Sequence, residues 1–144
     1  MSETSQRNGF GLHSKEYYKG VFDNLSNDNN SYLVIAKHEE KILIIDVIIV
    51  FGKTANYVFG ASSNEFRDTL PSYKAQWEAI LHAKKIGCTI YNFGGVSINS
   101  QSKKWEGLSA FKKRWGGEIL EHSPFYDIIT QPFWYFLYKI KKLF

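Results

Sequence analysis

Apolar positions along the chain change period several times, and each change marks an element. Residues 31–37 and 41–51 carry β-branched and aliphatic runs separated by His38, Glu39 and Glu40, which predicts two strands in an antiparallel hairpin. The second run, KILIIDVIIVF, is apolar on both faces, as expected of a central strand covered on both sides. Gly52 and Lys53 then turn into a third strand over 56–59 that ends at Gly60. From there the period becomes helical. Tyr73, Trp77, Ile80 and Ala83 recur at turn spacing with Leu81 widening the stripe, while Pro71 and Ser72 open the helix and Gly87 stops it. Residues 89–93 return to strand composition and end at Gly94 and Gly95.

Strand, helix and strand of this length form a βαβ unit with parallel strands and a right-handed crossover. Both strands should then finish at one edge of the sheet, with Ser62, Ser63, Gly94 and Gly95 on a shared rim. Small residues there let backbone amides approach a ligand, although a glycine after a strand is more often a turn.

The flanks extend this frame. A surface helix is expected over 13–25, with Tyr17, Val21, Phe22 and Leu25 on one face. Residues 24–31 form a polar loop, and 96–105, VSINSQSKKW, a mobile loop over the glycine rim. A short helix over 107–114 points Leu108 and Phe111 inward and Lys112, Lys113 and Arg114 outward, as either a ligand site or a solvated face. Gly116 and Gly117 end it, and residues 118–122 and 125–129 read as closing strands around Pro124. The C-terminal PFWYFLYKIKKLF is aromatic and then basic, an amphipathic helix that either docks on the domain, the commoner fate of aromatics, or lies on a membrane.

Composition narrows the class. With 144 residues, 44% of them hydrophobic, the chain has material for one domain with a core, spanning 1–144. A net charge of +4 suits a phosphate-bearing partner or an anionic membrane, or a surface with a few extra lysines. Cys88 is the sole cysteine, which rules out an internal disulfide and fits a reducing compartment. Its place after Gly87 suits a small core residue. The first residues lack a basic-then-apolar signal segment, and the longest apolar run, 42–51, is broken by Asp46 and far short of the ~20 residues that span a bilayer. A soluble cytoplasmic protein is the expectation.

Candidate chemistry is sparse. His13, His38, His82 and His122 lack ligand spacing, so no metal is expected, and there is no G-x-S-x-G nucleophile elbow. Gln6, Gly9 and Gly11 fit the Q-x-x-G-x-G signature of acyl-CoA enzymes, but that signature works after a strand and none precedes it, so CoA is not expected as a cofactor. Asp46, inside an apolar strand, is either a general base or a structurally satisfied carboxylate.

GASS at 60–63, PSYKAQW at 71–77, YNFGG at 91–95 and GLSAFKK at 107–113 resemble the FemA/FemB/FemX aminoacyltransferases that build peptidoglycan cross-bridges. Residues 3–25 also resemble that family's opening segment, and the likeness is to the second of its two acetyltransferase-like domains. The resemblance implies an α/β fold, a GNAT-like mixed sheet flanked by helices. It also implies transfer of an aminoacyl group from aminoacyl-tRNA to an amine of a lipid-linked or nucleotide-linked peptidoglycan precursor. Lys112 falls on the lysine of the family's Phe-Lys pair and is carried over as the catalytic residue beside the reacting ester. Phe111, Lys113, Arg114, Tyr73, Gln76, Ser62, Ser63, Gly94 and Gly95 are carried as substrate-binding, and Asn92 receives no acid or base role. The missing first domain leaves three alternatives: a partner domain, a homodimer, or no activity alone. An acyl-CoA-dependent acyltransferase and a non-catalytic binding half-domain are the rival readings, and peripheral contact with the inner face of the membrane is open.

Overall fold

The structure, a computed structural model, describes residues 2–9, 11–26, 30–97, 103–123 and 126–141. Helices α1 (Ser2–Asn8) and α2 (Lys15–Ser26) precede strands β1 (Ser31–His38), β2 (Lys41–Phe51) and β3 (Thr54–Ser62). A 3-10 turn at Arg67–Thr69 leads into α3 (Pro71–Lys85), followed by β4 (Ile90–Asn92), α4 (Lys103–Lys113) and α5 (Pro132–Lys141). The four strands form one mixed sheet in the order β1-β2-β3-β4, antiparallel except for the parallel β3–β4 pair that α3 connects.

The crossover helix packs through an unexpected face. Ala75, Gln76, Ala79 and Ala83 are its buried residues, whereas Trp77 and Leu81 from the predicted stripe are 52% and 43% exposed. Methyl side chains let the helix lie flush on β2, against Ile44 and Ile48, so the bulky residues are left at the margins. Ile48, Ala55, Ala79 and Ala83 make one cluster, with Leu43, Ile44 and Ala75 beside it. Cys88 packs against the first.

The N-terminal lead-in is itself a helix, and it docks on the end of β3. The buried Thr4 hydroxyl accepts from the Ser62 N–H (2.8 Å) and donates to the Ser62 carbonyl (3.0 Å), while Arg7 donates to Ser62 Oγ (2.6 Å) and to the Asn64 side chain. Gln6 lies within this helix.

Four further expectations are corrected. The strand predicted to stop at Gly60 continues to Ser62. Residues 118–123 and 126–129 form no strand, and Leu120, Tyr126 and Ile128 are 70%, 82% and 90% exposed; β-propensity does not make a strand without an edge to pair with. α5 does not dock through its aromatics, since Phe133, Trp134 and Phe136 are 67%, 63% and 61% exposed. The expected helix over 107–114 starts earlier, at Lys103. Residues 98–102 of the anticipated rim loop, 27–29 of the polar loop, and Pro124 and Phe125 lie outside the described residues.

Candidate active site

Two clefts open at the sheet edge, and α4 stands between them. Pairing of β3 with β4 runs only over Thr54–Asn56 against Ile90–Asn92, after which the chain from Phe93 onward diverges from β3. Ser62 and Ser63 are therefore six and seven residues beyond the last paired residue, about 20 Å along an extended strand. They do not share a rim with Gly94 and Gly95, as the βαβ argument had expected.

The first cleft, about 560 Å³, fills the divergence and is lined by Tyr57, Val58, Gly94, Gly95, Trp105, Leu108 and Lys112, among others. A bulge widens it: Val47 pairs with Phe59 but Ile48 with Tyr57, leaving Val58 unmatched and turned into the opening. Trp105, Leu108 and Lys112 lie at i, i+3 and i+7 on one face of α4. Lys112 Nζ donates to the Gly95 carbonyl at 2.9 Å, and partial burial lowers its pKa from the ordinary 10.5. One of its three donors is spent on Gly95, leaving two for a ligand. Gly94 has φ 73°, a left-handed conformation that favours glycine; a methyl there would stand 3.5 Å from Lys112 Nζ and 3.7 Å from the Tyr57 carbonyl. The buried Ser109 hydroxyl accepts from the Ser97 N–H (2.9 Å) and so holds the segment after the glycine pair against α4.

The second cleft, about 320 Å³, lies where β3 gives way to α3. Ser62, Ser63, Arg67, Leu70, Tyr73, Phe111 and Arg114 are among its lining residues. Gly107, Ala110, Phe111 and Arg114 supply the opposite face of α4. Arg114 donates to Tyr73 Oη at 3.0 Å, and Tyr73, Phe111 and Trp115 pack as one aromatic group with ring centroids 5.0–6.4 Å apart. Trp115 also stacks on Phe93, so α3, α4 and the strand-end segment are tied together around Lys112. The N-terminus of α3 faces this cleft without a side-chain cap, beside Arg67 and Arg114, a setting that favours an anion. Arg7 is close enough to Arg67 for their repulsion to lower the Arg7 pKa, second to burial.

Beneath the first cleft runs a buried polar chain. Tyr91 Oη donates to Gln76 Oε1 (2.9 Å), Gln76 Nε2 donates to Asp46 Oδ2 (2.8 Å), and Tyr57 bonds the same carboxyl. Burial raises the Asp46 pKa from 3.8 to about 6, against the lowering by Gln76 and Tyr57. Burial likewise raises the Tyr57 and Tyr91 hydroxyls well above 10. Asp46 is 3% exposed and reaches neither cleft, so a direct general-base contact is not available to it here.

The sequence-derived candidates thus separate. Lys112, Gly94 and Gly95 converge on the first cleft, and Ser62, Ser63, Tyr73, Phe111 and Arg114 on the second. Lys113 is exposed and lines neither. Gln76, expected to touch substrate, is 1% exposed with both amide ends engaged inside. Sequence reasoning missed Arg67, whose signal was a cation in the strand-to-helix loop at the carboxyl edge. It also missed Tyr57 and Trp105 as cleft walls, where nothing local distinguished them from core aromatics. Among the described residues no group of His, Cys, Asp and Glu could hold a metal, and no helix is long and apolar enough to cross a membrane.

Comparison with known proteins places this geometry. The lipid II:glycine glycyltransferase of Staphylococcus aureus is 38% identical over 109 residues, which cover 73% of this chain and 26% of that protein. The chain thus spans about a quarter of the length of the curated relatives it matches. The crystal structure of FemX superposes with a TM-score of 0.71 at 23% identity, over 81% of this chain and 46% of that one. Glucosamine-6-phosphate N-acetyltransferase from Arabidopsis thaliana gives 0.54 at 17% identity over 82% of each. The fold is accordingly GNAT-like, a mixed sheet flanked by helices. Residues 34–142, from β1 through α5, match the FemAB family, and the chain belongs to it.

Proposed function

We propose that this domain belongs to an aminoacyltransferase and receives the aminoacyl end of a charged tRNA, from which an amino acid passes to an amine of a peptidoglycan precursor. The observation that carries the reading is the half-buried Lys112 in the cleft opened by the β3 bulge and the Gly94–Gly95 pair, with an arginine-bearing cleft across α4. The relatives that match include a lipid II:glycine glycyltransferase, whose name gives transfer of a glycyl group, which supports the transfer part of the reading.

In this reading the ester carbonyl sits beside Lys112. The acceptor amine adds to it, forming the C–N bond, and the carbonyl oxygen gains negative charge that a Lys112 donor stabilises. Collapse breaks the C–O bond and expels the ribose hydroxyl, which takes up the proton lost by the amine. An ester is already activated, so holding the amine against it supplies much of the rate, with effective molarities on the order of 10⁵ M or more, and no covalent enzyme intermediate is needed. Arg67, Arg114 and the α3 N-terminus grip a phosphate of the terminal nucleotides, within reach because a helix is only about 10 Å across.

CoA has no part in this scheme. The cradle for its pyrophosphate is glycine-rich, whereas residues 64–70 between β3 and α3 contain no glycine. Precursor recognition is assigned to a partner domain or a second copy, at the inner face of the cytoplasmic membrane. The test incubates the protein with charged tRNAs and a lipid-linked precursor and looks for a mass increment of one aminoacyl residue. No increment with any charged tRNA when the partner domain is also supplied, or saturable acetyl-CoA binding at micromolar concentration, would overturn the reading.

A further inference from the structure

α5 carries an apolar stripe. At about 100° per residue, Phe133, Phe136, Leu137 and Ile140 fall within an arc of roughly 100°. They are 67%, 61%, 40% and 38% exposed. Tyr135, nearly opposite that arc, is the least exposed residue of the helix, and its hydroxyl donates to Asp127 Oδ2 at 2.7 Å. The helix is therefore tethered by its back.

We propose that this stripe is a docking surface for an anionic lipid bilayer. The charges favour that occupant: Lys141 and Lys139 flank the arc, each roughly 100° from its centre, with Lys139 resting over the Tyr135 ring at 5.2 Å, and no acidic residue occurs in α5. Lysines so placed reach headgroups while the stripe between them enters the acyl boundary. Trp134, 63% exposed and about 110° from the centre of the arc, adds an amphipathic ring at the level of the lysines. Over its ten described residues α5 is about 15 Å long, and the stripe runs that whole length, the pattern of a helix lying in the interface. Against a second copy, the lysines bordering the stripe would meet the same lysines of a symmetric mate, and α5 offers no acidic residue to pair with them.

Such docking would bring the Lys112 cleft to a lipid-linked acceptor, but it does not depend on the transfer reading. The test therefore uses vesicles without precursor. In flotation assays the protein should rise with phosphatidylglycerol vesicles and stay down with phosphatidylcholine, and binding should collapse at about 1 M salt, where the screening length is about 3 Å. Lys139→Gln with Lys141→Gln should weaken partitioning roughly thirtyfold, about fivefold per lysine. Phe133→Ser with Phe136→Ser should abolish it, and because both rings are exposed the thermal midpoint should hold. Absent flotation, flotation that these pairs leave unchanged, or concentration-dependent dimerisation without vesicle binding would each overturn the proposal.

Discussion

Asp46 should make the protein less stable as pH rises, the reverse of ordinary acid denaturation. Its carboxyl is buried under α3, and its pKa is raised from 3.8 to about 6 chiefly by that burial. Below about pH 4 folded and unfolded chains both hold the proton, and the contribution of Asp46 is fully present. Between about 4 and 6 the unfolded chain ionises while the folded one keeps its proton, so stability falls with rising pH, and above about 6 the loss is complete. The gap between 3.8 and about 6 corresponds to about 3 kcal/mol. Asp46→Asn removes the titration; its carbonyl still accepts from Gln76, while its amide faces a hydroxyl that donated to the carboxyl, a cost independent of pH that leaves the slope unaffected. Urea unfolding of both proteins from pH 4.5 to 7.5 isolates the effect, because other groups cancel in the difference. The stability advantage of Asp46→Asn should grow by about 2 kcal/mol across that range. A flat difference, or an advantage that shrinks with pH, would show that the folded protein holds Asp46 ionised and stabilised, and would refute the reasoning.

Three further substitutions probe the buried polar chain and the second cleft. A methyl at Gly60 would lie 1.8 Å from Tyr57 Oη and 3.0 Å from Asp46 Oδ1, so Gly60→Ala must eject the tyrosine; we expect a loss of about 3 kcal/mol, or about 10 °C in Tm, shrinking to under about 1 kcal/mol in a Tyr57→Ala background. Equal losses in both backgrounds would deny the contact. Arg67→Ala and Arg114→Ala should each weaken binding of an aminoacylated tRNA fragment and lower its salt slope by about 1, measured by titration at several ionic strengths, whereas an unchanged slope would remove the second cleft from the phosphate path.

Much of the sheet was legible because periodicity and turn chemistry act locally. The hairpin at 38–40, the parallel βαβ unit and the bounds of α3, set by Pro71 and Gly87, all followed from residues within a few positions. Of the buried face of α3 only Ala83 was legible, because hydrophobic scales weight Trp77 and Leu81 above alanine, while close approach to β2 also selects Ala75 and Ala79. The shared rim failed for a related reason. Parallel direction was inferable, but the extent of pairing was not, and β4 stops after three residues while β3 continues to Ser62. Gln76 lost its expected ligand role to Asp46, a partner thirty positions away. Lys112 was found through the Phe-Lys pair, and only tertiary structure shows why its nitrogen meets the glycine pair: Phe111 and Trp115 anchor α4 against Tyr73 and Phe93.

The central claim, that Lys112 stabilises the charge developing on the ester oxygen, meets its most direct test in single-turnover transfer from aminoacyl-tRNA by the parent, Lys112→Ala and Lys113→Ala proteins. Lys112→Ala should slow transfer by about 10²-fold or more, the scale of losing one oxyanion donor, with its thermal midpoint nearly unchanged. Lys113→Ala, altering an exposed lysine that lines neither cleft, should transfer at close to the parent rate. A folded Lys112→Ala protein that transfers as fast as the parent would contradict the account.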